Sequence, residues 1–235
     1  MRAVPLALPL VMLLAVMAAA DAPDPPPRTL LFTARPDWRG IWQTQGAAAS
    51  VSGAGAKAAA QGAASLPASY KSCRPVGFPT IMFIPLSDFM FELLVTPEQT
   101  LLASTDGTVR HIYTDGRSHP KAEDLWPTPT GDSIGHWEGG TLVVDTIARE
   151  AGPIAPFPGS PDLSAGAHFT ERLRRLDADT MEDVITIEDP GRMPRPLQST
   201  VLYKRAHDVD RLIPIDCEHD RDTVVGGKIV IAPPR

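Results

Sequence analysis

The chain has 235 residues, of which 43% are hydrophobic and 21% charged, so it is long enough to bury the core of one globular domain without a structural metal. Its formal net charge of −6 removes any electrostatic reason to bind nucleic acid, and we expect no nucleic-acid partner. The dinucleotide fingerprint, the phosphate loop and the nucleophile elbow are all missing from the sequence, which argues against a cofactor.

The N-terminus has the pattern of a secretory signal peptide. Arg2 gives a positive start, an apolar run extends from Val4 to Ala20, and three alanines end the run before Asp21. The apolar run is short for a membrane span, so we predict a cleaved signal peptide over residues 1–20 rather than a retained anchor. The mature protein is then expected in the periplasm or outside the cell, without stable insertion in a membrane.

The region that follows contains little regular structure. Residues 21–29 are Pro-rich and are predicted to form a disordered leader. Gly40-Ile41-Trp42 gives a short strand signal, whereas Ala56–Ala64 is a weak helix candidate because glycines interrupt the surrounding sequence. We therefore expect a short helix or a flexible flap there.

From Thr80 onward the hydrophobic pattern alternates with a period of two residues, which is typical of strands. Turn signals such as Asp106-Gly107 and Asp115-Gly116 separate the short runs and predict hairpins. The predicted strands are Thr80–Ile84, Met90–Val95, Thr100–Ser104, Thr108–Thr114, Ser133–Trp137, Thr141–Ile147, His168–Leu176, Met181–Glu188, Gln198–Lys204 and Thr223–Ile231.

The spacing of these strands indicates the architecture. Sequential hairpins leave no room for crossover helices, so the sheet is expected to be antiparallel. Closure into a barrel removes exposed edges, and we predict an all-β fold, an antiparallel up-and-down barrel, as a single domain over residues 30–235. Two long Pro-rich loops, His119–Asp132 and Ala148–Gly166, are expected to cover a site or to fill an interface.

Two cysteines, Cys73 and Cys217, lie in the exported part of the chain. An even number of cysteines in an oxidising compartment favours a disulfide between them. A pair of metal ligands is the weaker alternative, because Cys217-Glu218-His219 lacks the usual spacing of a zinc site.

The hairpin Thr108–His119 carries the first candidate site. Alternation puts Arg110 on one strand face and Tyr113 on the other, where Tyr113 is a candidate ligand contact. Asp115 is placed to orient His119 as a general base, because a carboxylate fixes the tautomer of an imidazole. The alternative is ordinary turn chemistry, in which Asp115 accepts local hydrogen bonds from the backbone.

His136-Trp137-Glu138 forms the second candidate site. His136 and Glu138 share a strand face, an arrangement that suits an acid/base pair or two metal ligands. Trp137 points the other way, into the core or a pocket. The alternative is a solvent-facing pair that precedes a turn.

The third candidate is a pair of carboxyl groups on apolar strand faces. Glu171 shares a face with Phe169 and Leu173, and Asp183 lies on a similar face of the next strand. Burial raises the pKa of a carboxyl unless it is paired, and such groups are frequent in functional sites. Arg110 is the expected partner of one of them and would stabilise developing negative charge if Glu171 acts as a base. The alternative is a buried network that serves structure only.

The histidines are dispersed along the chain, and His168 is a further candidate ligand contact. No close ligand motif joins them, so we predict no metal site. The histidines considered are His111, His119, His136 and His168.

Several motifs resemble the signature of an uncharacterised family of exported bacterial proteins. The longest are Arg110-His111-Ile112-Tyr113-Thr114-Asp115-Gly116-Arg117-Ser118-His119-Pro120, Gly131-Asp132-Ser133-Ile134-Gly135-His136-Trp137-Glu138-Gly139 and Thr141-Leu142-Val143-Val144-Asp145-Thr146. The resemblance spans most of the mature chain and implies an exported protein without a particular activity. The chain departs from the family pattern at His111, Gly140 and Leu163. Separately, Gly40-Ile41-Trp42 is similar to the glycine–x–tryptophan on the first strand of lipocalin-like barrels.

These observations favour a barrel that encloses a small apolar or aromatic molecule. One alternative is a cofactor-independent lyase, isomerase or hydrolase that acts on a small aromatic substrate in the same cavity. Another is a structural or assembly protein whose Pro-rich loops form an interface. The sequence leaves the oligomeric state open.

Overall fold

The computed structural model describes residues 36–48, 75–84, 89–154, 160–215, 222–225 and 228–231. The predicted signal peptide, the Pro-rich leader, the weak helix and the two cysteines Cys73 and Cys217 lie outside these residues.

The described chain consists mainly of strands. In chain order they are β1 (Ile41–Ala48), β2 (Met90–Val95), β3 (Gln99–Ser104), β4 (Val109–Tyr113), β5 (Asp132–Glu138), β6 (Thr141–Ile147), β7 (Gly152–Pro153), β8 (Asp162–Leu163), β9 (His168–Arg175), β10 (Thr180–Glu188), β11 (Leu197–Arg205), β12 (Asp222–Val225) and β13 (Lys228–Ile231). Helical structure is limited to α1 (Thr80–Phe83) and a 3₁₀ turn at Ala122–Asp124 in the described ranges, where no helix is long and apolar enough to cross a membrane.

Nine strands close into a barrel in the order β1-β11-β10-β9-β6-β5-β4-β3-β2, which confirms the predicted all-β barrel. Neighbouring strands are antiparallel except β4 and β5, which are parallel. Strand directions that alternate strictly cannot close a ring of odd number, so one parallel pair is required. The barrel is therefore up-and-down in most of its circuit but not throughout.

Three local predictions were wrong. Thr80–Ile84 is not a strand: it contains α1, whose residues are all buried, so the sequence has no polar face from which its period can be read. The turn at Asp115-Gly116 does not close a hairpin, because the chain crosses the barrel end through a long loop and returns parallel. Thr223–Ile231 is two short strands that pair with each other outside the barrel.

The barrel interior is packed with side chains that alternate along each strand, as predicted. On β9 the buried residues are Phe169, Glu171 and Leu173, which share a face. Across β6 and β10, Glu171 is opposite Val144 and Ile185. Period-two alternation therefore places a carboxyl group in the middle of an apolar layer.

Both predicted loops lie between barrel strands. The first is held to the barrel end, where Phe78 N donates to Pro129 O at 2.9 Å. The second begins with the buried Arg149, whose guanidinium donates to the carbonyls of Phe78, Gly152 and Pro153 at 2.9–3.0 Å. Pro129 of the first loop and Arg149 of the second thus both bind Phe78 at this end of the barrel.

Candidate functional site

Arg110 lies at the centre of a buried polar network in the barrel. Its Nη1 donates to Glu171 Oε1 at 3.0 Å, and its Nη2 donates to Glu171 Oε2. Nε donates to Ser133 Oγ at 3.2 Å, and Nη2 also donates to Thr146 Oγ1 at 2.9 Å. The ring of Phe78 covers the guanidinium, with its centroid 3.7 Å from Cζ. All three nitrogens of the guanidinium are therefore engaged.

The predicted pairing of Arg110 with one of the interior carboxyl groups is confirmed, and its partner is Glu171. Strand alternation directs both side chains inward, and the barrel closes so that β4 and β9 face a common interior. Because each nitrogen of the guanidinium already has a partner, its charge serves to compensate Glu171 in the resting structure.

Asp183 is the second carboxyl group of the interior, and it is completely buried. Its protonated form shares a side-chain hydrogen bond with Glu171. Within the described part of the chain, the hydroxyl groups of Ser199 and Thr100 have no hydrogen-bond partner. Asp183 is opposite Val201 in the register of β10 and β11, so Ser199 is its diagonal neighbour on the inner face. Thr100 lies on β3, across the barrel.

The surroundings of Asp183 favour its neutral form. Burial raises its pKa well above its ordinary value, the nearby negative charge of Glu171 raises it further, and Arg110 opposes the change only in part. Burial, together with the same two carboxyl groups, also raises the pKa of the Tyr203 hydroxyl, which donates to Met82 O at 3.3 Å. The interior thus contains one compensated carboxylate and one uncompensated carboxyl.

A chain of alternating imidazoles and carboxyl groups crosses the outer face of the barrel. His119 Nδ1 lies 2.5 Å from Asp132 Oδ1, and its Nε2 lies 2.9 Å from Asp145 Oδ1. The other oxygen of Asp145 lies 2.9 Å from His168 Nε2, and His168 Nδ1 lies 3.4 Å from Glu188 Oε2. This chain fastens both ends of the first Pro-rich loop to the sheet.

Asp115 does not orient His119, and that prediction was wrong. Its carboxylate binds the guanidinium of Arg117 and accepts the Arg117 N–H at 3.2 Å, as in ordinary turn chemistry. Arg117 also lies over the ring of Tyr113, with Cζ 3.9 Å from the centroid. One face of this ring, a predicted ligand contact, is therefore covered by a side chain of the protein. Asp115 pairs with Arg117 rather than with His119 because Asp115 and Arg117 are two residues apart in one turn.

The four residues predicted to be catalytic therefore divide between two places. Arg110 and Glu171 point into the barrel, whereas His119 binds Asp145, which alternation on β6 directs outward. Because the sheet separates them, His119 and Glu171 lie on opposite faces, and only Glu171 is close to Arg110.

His136 and Glu138 share the outer face of β5, as predicted, with His136 Nε2 3.3 Å from Glu138 Oε1. Their side chains are 66% and 49% exposed, and Glu138 also accepts a hydrogen bond from Arg172 at 2.7 Å. Trp137 points inward and packs on Trp38, with ring centroids 4.9 Å apart. The arrangement is that of a solvent-facing pair above a core tryptophan.

Sequence reasoning missed Asp132 and Asp145, the two partners of His119. Alternation alone places Asp145 on the outer face of β6, since Val144 and Thr146 are buried. It does not say which histidine comes close, because His119 reaches Asp145 only through the path of the loop. Among the described residues, no group of three or more His, Cys, Asp or Glu side chains is arranged to hold a metal ion.

A surface pocket of about 230 Å³ lies on the outer side of β2 and β3. Its polar rim is formed by Arg39 and Glu92, and its floor is mainly aliphatic. Leu94, at 58% exposed, is the most accessible apolar residue in it. This pocket is open to solvent and separate from the polar network of the interior.

The outer histidine chain makes stability depend on pH. Partial burial acts against a charged His168, but hydrogen bonds and charge from Asp145 and Glu188 prevail and raise its pKa above the ordinary 6.5. The stabilisation is complete below pH 6.5 and is lost as the pH rises through the raised pKa. We expect a His168→Gln variant to be less stable than the parent by under about 1 kcal/mol at low pH, with the deficit shrinking as the pH rises.

Thermal unfolding of both proteins from about pH 5 to about pH 8 measures this difference across the range in which histidine titrates. A deficit that stays constant with pH would show that the charge of His168 contributes nothing to stability.

Comparison with models of known protein families gives no match, and a search of curated proteins finds no similar sequence. The resemblance to a family of exported bacterial proteins therefore stays a prediction, and the function is argued from the side chains.

Proposed function

We propose that the chain is a binding protein for a small, mainly apolar or aromatic molecule that the barrel holds in its interior. The observation that carries this proposal is a small group of buried polar side chains in an apolar surrounding: the carboxyl group of Asp183 and the hydroxyl of Ser199, which has no hydrogen-bond partner among the described residues. Ligand sites in proteins combine such an apolar lining with a small number of polar groups that fix orientation.

The contrast with the rest of the interior supports this interpretation. The polar groups around Arg110 bind one another, so the network of Glu171, Ser133 and Thr146 accounts for their burial. Leaving a buried polar group unpaired costs about 1–3 kcal/mol. Ser199 carries that cost in the free protein, and a bound molecule that pairs with its hydroxyl group would remove it.

The enzyme alternative has less support, because the residues with acid/base character are divided between the two faces of the sheet. The assembly alternative rests on one observation: Trp126, in the first Pro-rich loop, is 72% exposed. If this ring is an interface anchor, replacing it with Ser will change the oligomeric state measured by size-exclusion chromatography with light scattering. If the oligomeric state is unchanged, that alternative loses its support.

Native mass spectrometry of the mature protein, purified from a host that exports it, tests the binding proposal. We expect a bound small molecule on the parent chain and weaker retention by Ser199→Ala, by about 3- to 10-fold for one lost hydrogen bond. Leu94→Asp is the matched control, because it disables the surface pocket and leaves the interior unchanged. Loss of the ligand from the Leu94 variant alone would move the site to that pocket.

Export belongs to the same proposal. The mature chain is expected to begin at Asp21 when it is isolated from the periplasm or the medium, which N-terminal sequencing measures. Titration of the native protein for free thiols is expected to find none before reduction, as a bond between Cys73 and Cys217 requires. An intact Met1 together with two free thiols would contradict export to an oxidising compartment.

A further inference from the structure

We propose that His119 is a proton-operated latch for residues 120–127, which form the tip of the first Pro-rich loop. When the ring of His119 carries two N–H protons, it fastens this loop tip to the outer face of the barrel. When the ring loses one of these protons, the loop tip detaches. The inference concerns the outer face and does not depend on a ligand in the interior.

The loop tip has few ties to the rest of the protein. Residues 120–127 are exposed except Leu125, which is partly buried. The hydrogen bonds of the tip in the described structure only close its own 3₁₀ turn. On its C-terminal side the chain is held from Thr128 onward, where the Thr128 N–H donates to Ala148 O at 3.1 Å. On its N-terminal side the nearest tie to the barrel is the side chain of His119.

The contacts of this side chain require a second proton on the ring. Nδ1 of His119 lies 2.5 Å from Asp132 Oδ1, and Nε2 lies 2.9 Å from Asp145 Oδ1. A neutral imidazole has one N–H and one lone pair, so it can donate to only one of two ionised carboxylates. Both contacts are hydrogen bonds when both nitrogens carry a proton, and the ring then has a positive charge.

Loss of one proton turns one of the two contacts from attractive to repulsive. The N–H bond at that nitrogen breaks, its proton leaves to solvent, and the remaining lone pair faces a carboxylate oxygen. The positive charge between the carboxylates of Asp132 and Asp145 disappears in the same step. Because His119 is the tie of the loop tip on this side, we expect the tip to leave the barrel surface.

The charged groups around the ring act in the same direction. They are Asp132 on β5, Asp145 on β6, His168 on β9, Glu188 on β10 and, from the loop, Arg117, which pairs with Asp115 and interacts with the charge of Asp132. With both histidine rings protonated, two positive charges offset two of the three carboxylates along these four strands. With both rings neutral, the three carboxylates have no cation between them, so deprotonation of His168 also favours release.

Two NMR measurements on the purified protein from about pH 5 to about pH 8 test the latch. Long-range proton–nitrogen spectra show whether the ring of His119 has one N–H or two. The fluorine line of 5-fluorotryptophan at Trp126, assigned with Trp126→Phe, reports the mobility of the loop tip. We expect this line to narrow at the pH at which the ring loses its second proton. The ratio of open to closed tip is expected to rise by up to about tenfold per pH unit, since opening releases one proton.

Variants separate the proton from the side chain. His119→Ala is expected to give a narrow Trp126 line at every pH. Asp132→Asn is expected to keep the line broad at every pH, because its carboxamide can donate to the deprotonated Nδ1 while Nε2–H still binds Asp145. Asp132→Asn thus gives an independent answer if His119→Ala does not fold.

His136→Gln is the matched control. His136 also pairs with a carboxylate on the outer face, but its partner Glu138 belongs to the same strand and not to the loop. This variant is expected to have the pH profile of the parent.

Three results would overturn the latch. The first is a Trp126 line that does not change while the ring of His119 titrates. The second is a ring with a single N–H already at about pH 5, since a carboxyl proton would then make one of the contacts. The third is an Asp132→Asn variant with the pH profile of the parent, which would assign the response to another group.

Discussion

Replacing Glu171 with Gln is expected to lower the free energy of unfolding by about 3–5 kcal/mol. Glutamine keeps the size of the side chain but removes the charge that compensates Arg110, whose side chain is only 1% exposed. The guanidinium then loses its bidentate partner and keeps its hydrogen bonds to Ser133 and Thr146, next to the ring of Phe78. Urea unfolding followed by tryptophan fluorescence measures the change, because Trp38 and Trp42 are both buried.

The same pair of strands offers a matched control on the outer face. Arg174 of β9 binds Glu182 of β10 at 2.7 Å, with side chains 54% and 17% exposed. Replacing Glu182 with Gln is expected to cost under about 1 kcal/mol, since water screens the charge that remains. A Glu171 variant that is no more destabilised than the Glu182 variant would mean that Arg110 is not confined in the barrel.

Removing both charges tests whether the cost comes from the unpaired ion. The double variant Arg110→Met with Glu171→Leu replaces the ion pair with apolar side chains, which in buried sites is often neutral or stabilising. We expect it to recover most of the stability that Glu171→Gln loses. Failure to recover would assign the cost to packing, or to the hydrogen bonds of Ser133 and Thr146, rather than to charge.

The ion pair of Arg110 and Glu171 shows how much of the buried polar network can be predicted from the sequence. Alternation placed Glu171 on an apolar strand face, and the need to compensate a buried carboxyl group indicated Arg110 as a partner. Which carboxyl it binds depends on the closure of the barrel, since β4 and β9 are not neighbours in the sheet. Asp183 met the same local criteria and differs from Glu171 only through that geometry.

The wrong predictions have two causes. In one case the closure of the barrel overrode a local turn signal, and in the other the hydrophobic pattern did not distinguish a strand from a helix. Asp115-Gly116 has the composition of a hairpin turn, yet the loop it opens crosses the barrel end, because an odd number of strands needs one parallel pair. The buried run Thr80–Phe83 has no polar residue facing solvent, so nothing in it separates a strand from a helical turn.

Gly77→Ala is expected to destabilise the protein by roughly 2–5 kcal/mol. Gly77 has a φ of +70°, in the left-handed region, and an added Cβ would lie 2.3 Å from Pro129 O. That carbonyl accepts the hydrogen bond of Phe78 N, so the methyl group must displace the contact between the first Pro-rich loop and the barrel end. The ring that covers Arg110 moves with it, which extends the effect to the interior.

Gly116→Ala separates the two causes of this cost. Gly116 has a similar φ of +85°, but an added Cβ would meet nothing within 4 Å. Its replacement is therefore expected to cost only the backbone strain, about 1–2 kcal/mol. The excess in Gly77→Ala, measured by urea unfolding of both variants, is the contribution of close packing between the loop and the segment before α1. If both variants lose the same free energy of unfolding, the loop moves away from the added methyl group at little cost. Its contact with the barrel end then adds little to stability.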